Sequence, residues 1–347
     1  MQASVASTAR ASSGSSSMAS ERPPIACLGA GRMGRGIAVG FAYAGHEVAL
    51  VDAKPRPPEA FAALEREALA EIGDALRTLG ELGLFDPAHA DSLLSRVRVV
   101  PEAAAAGALG KAAVVFEGVP EILDLKRDAL ARASAMMAPG AILASTTSTI
   151  LVDDLSPAVA DPARFLNAHW LNPAYIVPLV EVSPGRDTAP ETLARLNALL
   201  ESVGKVPVTC AASPGFIVPR LQTLAMNEAA RMVEEGVASA EEIDRAVKYG
   251  FGFRFGVLGM LEFIDWGGGD ILYHASRYLT GALGHERYRA PEVIERNMRD
   301  GRIGLRTGQG FLDYAGRDID SYRRQRLGAL VERLRAEGLA KPPVLPD

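Results

Sequence analysis

Ile25-Ala-Cys-Leu-Gly-Ala-Gly-Arg-Met-Gly34 decides the reading of this chain. Four apolar residues, Ile25 to Leu28, run straight into three glycines, and a helical pattern opens behind them. A short unbroken apolar run of this kind reads as a strand buried on both faces. Gly29 permits a tight turn, Gly31 lets a pyrophosphate approach the backbone, and Gly34 lets the helix pack on the strand. Phosphates then meet free N–H groups at a helix N-terminus, where the dipole favours negative charge. A glycine-rich turn alone needs no ligand. Here a second strand follows, His46-Glu-Val-Ala-Leu-Val-Asp52, ending in a carboxylate 18 residues past Gly34. A carboxylate at that place accepts hydrogen bonds from a ribose 2′-hydroxyl and repels a 2′-phosphate, which selects NAD. Lys54 and Arg56 just behind it are of a kind that tolerates NADP, but Asp52 itself is acidic. The cofactor set is therefore Gly29, Gly31, Arg32, Met33, Gly34 and Asp52.

At 347 residues the chain has room for two domains, each with its own core. Its 48% hydrophobic and 23% charged residues are those of an ordinary soluble globular protein. A net charge of -5 gives no basic field, which argues against nucleic acid as a partner. No run of 18 apolar residues occurs, so no membrane span is expected and the chain reads as cytoplasmic. Cys27 and Cys210 make neither a disulfide framework nor a metal site. Cys27 falls inside the first strand as a small buried thiol. His46, His89, His274 and His285 lack ligand spacing, so no metal is expected. Residues 1–22 are serine-rich and nearly uncharged, and are expected to form a disordered tail.

From 23 to 210, strands and helices alternate. Strands are expected at Arg96–Val100, Ala112–Gly118, Ala141–Ser145, Arg164–His169, Leu179–Val182 and Lys205–Thr209. Helices are expected at Glu59–Leu82, Ile122–Met137 and Pro190–Val203, and Ala103–Ala108 reads as a surface helix. Such alternation implies a mostly parallel sheet covered on both faces. From 211 to 347 the pattern changes to helices alone: Phe216–Glu235, Ala240–Tyr249, Gly269–Leu283, Pro291–Met298 and Tyr322–Glu337. The segment Val206–Ser213 reads as the hinge region. The fold class is α/β: a Rossmann-type doubly wound, mostly parallel sheet followed by an all-α C-terminal domain for substrate binding and dimerisation. Bulky apolar residues from Phe251 to Trp266 suit either a core or an interface or pocket wall.

Ligands of such sheets lie beyond the carboxyl ends of the strands. Ser145-Thr-Thr-Ser148 follows one strand, His169-Trp-Leu-Asn172-Pro173 the next, and Glu181 closes the one after. Together they offer a base, a carboxylate to orient it and two hydrogen-bond donors for an oxygen. Hydride transfer from an alcohol to a nicotinamide requires that set. Pro173 also restricts Asn172 to extended backbone.

With these motifs in order, the chain resembles the L-3-hydroxyacyl-CoA dehydrogenase family from Ile25 to Tyr314. The resemblance is carried by the glycine motif, Glu117-Gly-Val-Pro-Glu121 with Lys126, Ser145-Thr-Thr-Ser148 and His169-Trp-Leu-Asn-Pro173. Leu179-Val-Glu181, Ser213-Pro-Gly-Phe-Ile-Val218, Glu234-Glu-Gly-Val237 and Thr307-Gly-Gln-Gly-Phe311 complete it. It implies NAD-dependent interconversion of an L-3-hydroxyacyl-CoA and its 3-keto form, as in fatty acid metabolism. His169 would be the general base, and Glu181 would fix its tautomer and stabilise the imidazolium. Ser148 and Asn172 would contact the substrate oxygen and keep the histidine in place. Glu121 and Lys126 would lie close to the nicotinamide and its ribose, and the helical domain would form a homodimer.

Two departures matter. Pro219-Arg220 stands where the family has Asn-Arg, which removes one polar contact and marks a helix start or bend. The segment Gly250–Met260 is longer than in the acyl-CoA enzymes and has Met260 in place of a proline. With Arg254 in it, the segment is similar to that of hydroxy-acid dehydrogenase, lambda-crystallin-like relatives. Arg254 is thus a candidate for a bidentate contact with a free substrate carboxylate. Its alternative is a surface arginine or a salt bridge across a dimer. The same chemistry on a free 3-hydroxy acid or small hydroxy-carboxylate therefore stands beside the thioester reading. A non-catalytic NAD-binding protein is a third reading, against which the retention of Ser148, His169, Asn172 and Glu181 argues.

Overall fold

A computed structural model describes residues 22–344, so the tail expected over 1–22 lies outside the described residues but for Arg22. The chain divides into two compact units between Leu224 and Ala225. In the first, eight strands form one sheet in the order β3-β2-β1-β4-β5-β6-β7-β8. They are β1 Ile25–Leu28, β2 Val48–Val51, β3 Val97–Val100, β4 Val114–Glu117, β5 Ile142–Ser145, β6 Phe165–Trp170, β7 Leu179–Pro184 and β8 Val206–Thr209. Every pairing is parallel except β6 with β7. The helices used below are α1 Arg32–Tyr43, α2 Pro58–Glu81, α3 Leu123–Met136, α4 Pro190–Ser202 and α5 Val218–Glu234.

Both faces of the sheet are covered, which is why β1, β2, β4, β5 and β6 are buried along their whole length. Alternate residues serve opposite faces, as the period of two in a strand demands. Ile25 and Cys27 pack with Ile37, Phe41, Ile72 and Leu196 on one side. Ala26 and Leu28 pack with Leu130, Leu155 and Phe165 on the other. Burial pushes the Cys27 thiol up to about 12, so it behaves as a small apolar side chain. The expected surface helix at Ala103–Ala108 needs correction. The helix there is Ala105–Leu109, and Ala105, Ala108 and Leu109 are buried against the second face. Small alanines let it approach the sheet closely.

Chain order reverses between β1 and β4, and the glycine turn lies at that crevice. Gly29 has φ 115°, and a Cβ there would come 2.8 Å from the Gly118 carbonyl oxygen after β4. A Cβ on Gly34 would come 2.1 Å from the Gly29 carbonyl oxygen and 3.0 Å from Leu50. A Cβ on Gly31 would meet no protein atom within 4 Å, so the space beside it belongs to the groove.

The second unit is helical, with Met260–Gly267, Gly269–Leu283, Glu292–Arg299 and Ile319–Ala336 as its longer pieces. The expected helix ending at Tyr249 continues instead through a wide π-type turn, Val247–Gly252, into Phe253–Phe255. Gly250 to Phe255 is thus helical rather than a loop. Its aromatics pack edge to face, Phe251 on Phe255 at 4.4 Å and Phe255 on Phe263 at 5.4 Å. The Thr307–Phe311 motif is a structural turn. Buried Asp265 accepts hydrogen bonds from Phe311 N at 2.9 Å, Leu312 N at 2.8 Å and the Tyr314 hydroxyl at 3.2 Å. Among the described residues no helix is long and apolar enough to cross a membrane.

The two inner glycines are expected to fail differently. Gly34→Ala collides with backbone and is expected to lower stability by about 2–4 kcal/mol in urea denaturation. Gly31→Ala is expected to leave the urea midpoint unchanged and weaken NAD binding at least about tenfold, since only the groove is altered. Equal stability of Gly34→Ala and the parent would contradict the packing described.

Candidate active site

The glycine turn, Asp52 and the β4 end enclose a cleft of about 470 Å³, lined by Gly31, Arg32, Met33, Asp52 and Gly118 among others. Asp52 is nearly buried, with Oδ2 2.6 Å from Arg56 Nε and Oδ1 accepting Lys54 N at 3.2 Å. The open space at Gly31, the helix N-terminus at Arg32 and this acidic strand end suit a dinucleotide. Arg56 holds the carboxylate toward the cleft, a partner that spacing alone did not reveal.

His169 and Glu181 stand directly opposite each other on the antiparallel strands β6 and β7. Cross-strand partners share a face, so the sheet register itself brings imidazole to carboxylate. His169 Nδ1 lies 2.8 Å from Glu181 Oε2, with both side chains buried. A carboxylate only accepts, so Nδ1 carries a proton, and in the uncharged ring Nε2 is the lone-pair acceptor. Nε2 has no protein hydrogen-bond partner among the described residues. The other oxygen, Oε1, accepts Ile217 N at 2.9 Å and Val218 N at 2.7 Å, the N–H groups that open α5. Glu181 thus takes donors left unpaired at a helix start, where negative charge is favoured.

The strap before α5 completes this arrangement. Phe216 has φ 44°, a conformation that costs a bulky residue about 1–3 kcal/mol. Its ring stacks on His169 at 5.1 Å, with the planes 6° apart. The expected helix from Phe216 therefore starts later, at Val218, with Pro219 its second residue. At that place a missing N–H costs nothing. Glu181 and Phe216, not Ser148 and Asn172, hold the ring: no hydrogen bond joins either of the latter to His169. Asn172 is exposed and lines a second cleft of about 390 Å³ with Arg32, Arg35 and Tyr175.

Ser148 is exposed, and its backbone N–H donates to Glu121 Oε1 at 3.0 Å. The same oxygen accepts the Thr147 hydroxyl, Thr149 N at 3.0 Å and Thr149 Oγ1 at 2.9 Å. Glu121 therefore builds the turn after β5. Burial pushes its carboxyl up, but the Thr147 hydroxyl, the Lys126 charge and Thr149 outweigh this and hold it below the usual range. With the folded value depressed, this contribution is complete above the unfolded range and is lost as pH falls through the lowered value. Lys126 is fully buried, donating to Glu117 Oε1 at 2.9 Å and Val119 O at 3.1 Å, with Glu121 Oε2 at 3.4 Å. Glu117, which sequence reasoning quoted without a role, is the centre of this cluster. It also accepts Val119 N at 2.7 Å and Ser145 Oγ at 2.6 Å. A carboxylate ending an apolar strand was its only signal. In the second unit Arg254 is exposed, donates through Nε to Gly250 O at 3.0 Å and lies 4.7 Å over the Phe263 ring.

Two family models together cover most of the chain, up to residue 314. Residues 24–213 match the 3-hydroxyacyl-CoA dehydrogenase NAD-binding domain, and residues 215–314 match the C-terminal domain of the same family. The chain belongs to the 3-hydroxyacyl-CoA dehydrogenase family. It is an NAD-dependent oxidoreductase acting on a CH–OH group. An L-carnitine dehydrogenase of Streptomyces coelicolor is 36% identical over 92% of this chain and 96% of its own. The 5-formyl-3-hydroxy-2-methylpyridine 4-carboxylate 5-dehydrogenase of Mesorhizobium japonicum is 32% identical over 88% of this chain and 96% of its own. A crystal structure of a 3-hydroxyacyl-CoA dehydrogenase from Archaeoglobus fulgidus superposes with a TM-score of 0.70. It is 31% identical and spans 92% of this chain and all of its own.

If Lys126 serves chiefly to neutralise Glu117, Lys126→Met is expected to cost about 3–5 kcal/mol in urea denaturation without any ligand present. A variant with parental stability and weakened NAD binding would instead make Lys126 a ligand-binding group.

Proposed function

We propose that this dehydrogenase oxidises the 3-hydroxyl of an L-3-hydroxyacyl substrate, with His169 as general base and Glu181 as its orienting partner. The buried contact of His169 Nδ1 with Glu181 Oε2 supports this reading most, because it leaves Nε2 ready to accept a proton. Bound NAD, held by the Gly29–Gly34 turn and Asp52, supplies the acceptor for the hydride that leaves C3. The hydroxyl proton passes to His169 Nε2 as the C3–O bond becomes a carbonyl. The resulting imidazolium keeps its Nδ1–H on Glu181, whose negative charge stabilises it. In this reading Asn172 and Ser148, just past the ends of β6 and β5, hydrogen-bond the substrate oxygen, and Phe216 shields one face of the imidazole from water. In this reading the CoA thioester is the leading substrate, as the family's name states. Exposed apolar residues of the helical unit, such as Met226 at 68% and Ile271 at 63%, support a homodimer.

One observation favours the second reading, a free hydroxy acid bound through Arg254. Helix α2, beside the Asn172 cleft, carries six carboxylates against Arg66 and Arg77, and Arg35 is already paired with Glu67 and Glu71. So acidic a wall is a poor neighbour for the phosphates of CoA. The carnitine and pyridine-carboxylate dehydrogenases among the relatives carry names of substrates without CoA.

NADH formation with L-3-hydroxybutyryl-CoA, compared with free hydroxy acids including carnitine at equal concentration, separates the two. In either case His169→Gln is expected to lower kcat at least about a hundredfold with NADH affinity kept within about twofold. Undiminished turnover in that variant would remove the general-base assignment.

A further inference from the structure

Lys205, between α4 and β8, is a buried lysine without a carboxylate partner among the described residues. The residue is 7% exposed, and burial pushes its ammonium below the usual lysine value, with no charged group to offset it. Lysines are seldom buried unless paired, since a lone charge is costly away from water. Here neutral groups replace the counter-ion. Nζ donates to Ala174 O at 2.7 Å and to Val177 O at 2.9 Å, and lies 5.6 Å from the centre of the Trp170 ring. Charge-assisted hydrogen bonds are stronger than neutral ones, and a ring face adds a further favourable contact.

The two carbonyls belong to the turn that leaves β6 just after His169. Within that turn Ile176 N and Val177 N both donate to Pro173 O, at 3.0 Å and 2.9 Å. Ala174 is buried against α1, where a Cβ on Gly36 would come 3.1 Å from its own Cβ. The turn is therefore gripped by α1 on one side and by Lys205 on the other. Asn172, exposed at its shoulder, is the side chain this grip presents to the cleft.

We propose that Lys205 is a positioning residue for the dehydrogenase reaction. Its ammonium clamps the 171–178 turn onto Trp170 and so fixes Asn172 beside the strand end that carries His169. Lys205 touches neither substrate nor cofactor; it acts through Asn172. The proposal rests on the assignment of His169 and Asn172 above, and its test is chosen to separate the two. Among the described residues no other side chain hydrogen-bonds to either carbonyl. Removal of the ammonium leaves two inward-facing acceptors unpaired, and the turn must move to hydrate them.

The test compares Lys205→Met and Lys205→Arg with the parent by amide hydrogen exchange, NADH binding and steady-state kinetics. Lys205→Met is expected to speed exchange at Ile176 and Val177 at least about tenfold, with peptides from β1 and α1 unchanged. Its kcat is expected to fall about tenfold or more, since a displacement of 1 Å at a positioning group has effects of that size. KM and NADH affinity are expected to stay within about twofold of the parent. Lys205→Arg, which keeps the cation, is expected to recover part of both effects. Unchanged exchange in the turn overturns the proposal, and so does faster exchange with parental kcat. Faster exchange spread over the whole first unit with NADH binding lost also overturns it, because the residue is then merely structural. Should Lys205→Met not fold, Lys205→Gln, which keeps N–H donors but loses the charge, is read by the same criteria. A parent protein inactive on every hydroxy substrate sinks the catalytic assignment instead, while the exchange data still decide whether Lys205 holds the turn.

Discussion

The Glu181 carboxylate is the interaction on which the first unit's chemistry depends. One oxygen receives the His169 Nδ1 proton, and the other receives the first N–H groups of α5. A single buried group thus orients the His169 ring and takes up the N–H groups that open α5. The sheet makes the arrangement cheap. Antiparallel pairing needs only a short connection, so His169 and Glu181 are 12 residues apart and still face each other across β6 and β7. Phe216 adds a stacked ring at the cost of an unfavourable backbone conformation, and such strain persists where the surrounding structure over-determines it.

A second buried charge cluster plays the matching part on the cofactor side. Glu117 closes β4 and is saturated by Lys126, Val119 and Ser145, which ties β4, α3 and β5 into one rigid corner. Glu121 then shapes the Thr147–Thr149 turn from the same corner. Because every donor and acceptor there is paired, the cluster rigidifies the crevice instead of destabilising it. The acidic α2 and the exposed guanidinium of Arg254 are surface features, which packing constrains less than the core.

Much of this was legible in the chain. Gly29, Gly31 and Gly34 follow an apolar run whose burial on both faces leaves no choice of element, and Asp52 ends the next. His169 and Glu181 were legible as polar groups closing strands that together offer a base and a carboxylate, and the family resemblance gave each its role. What stayed hidden depends on contacts distant in sequence. Phe216 reads as the first apolar residue of a helix, because stacking on His169 cannot be seen from its neighbours. Lys126 was placed near the nicotinamide by resemblance alone and Lys205 was read only as the first residue of a strand; the packed structure buries both. Ala105 and Ala108 looked like a surface helix because alanine carries no pattern. The wide turn at Val247–Gly252 was missed because the helical pattern was read to end at Tyr249, before the glycines.

The protonation of the His169 ring tests the central claim most directly. In the ¹⁵N NMR spectrum of the resting enzyme with its imidazole uncharged, the expected tautomer carries its proton on Nδ1, with Nε2 at the shift of an unprotonated nitrogen. A ring protonated at Nε2, or one exchanging freely between the two forms, would contradict it, because the nitrogen proposed to receive the hydroxyl proton would then already hold one.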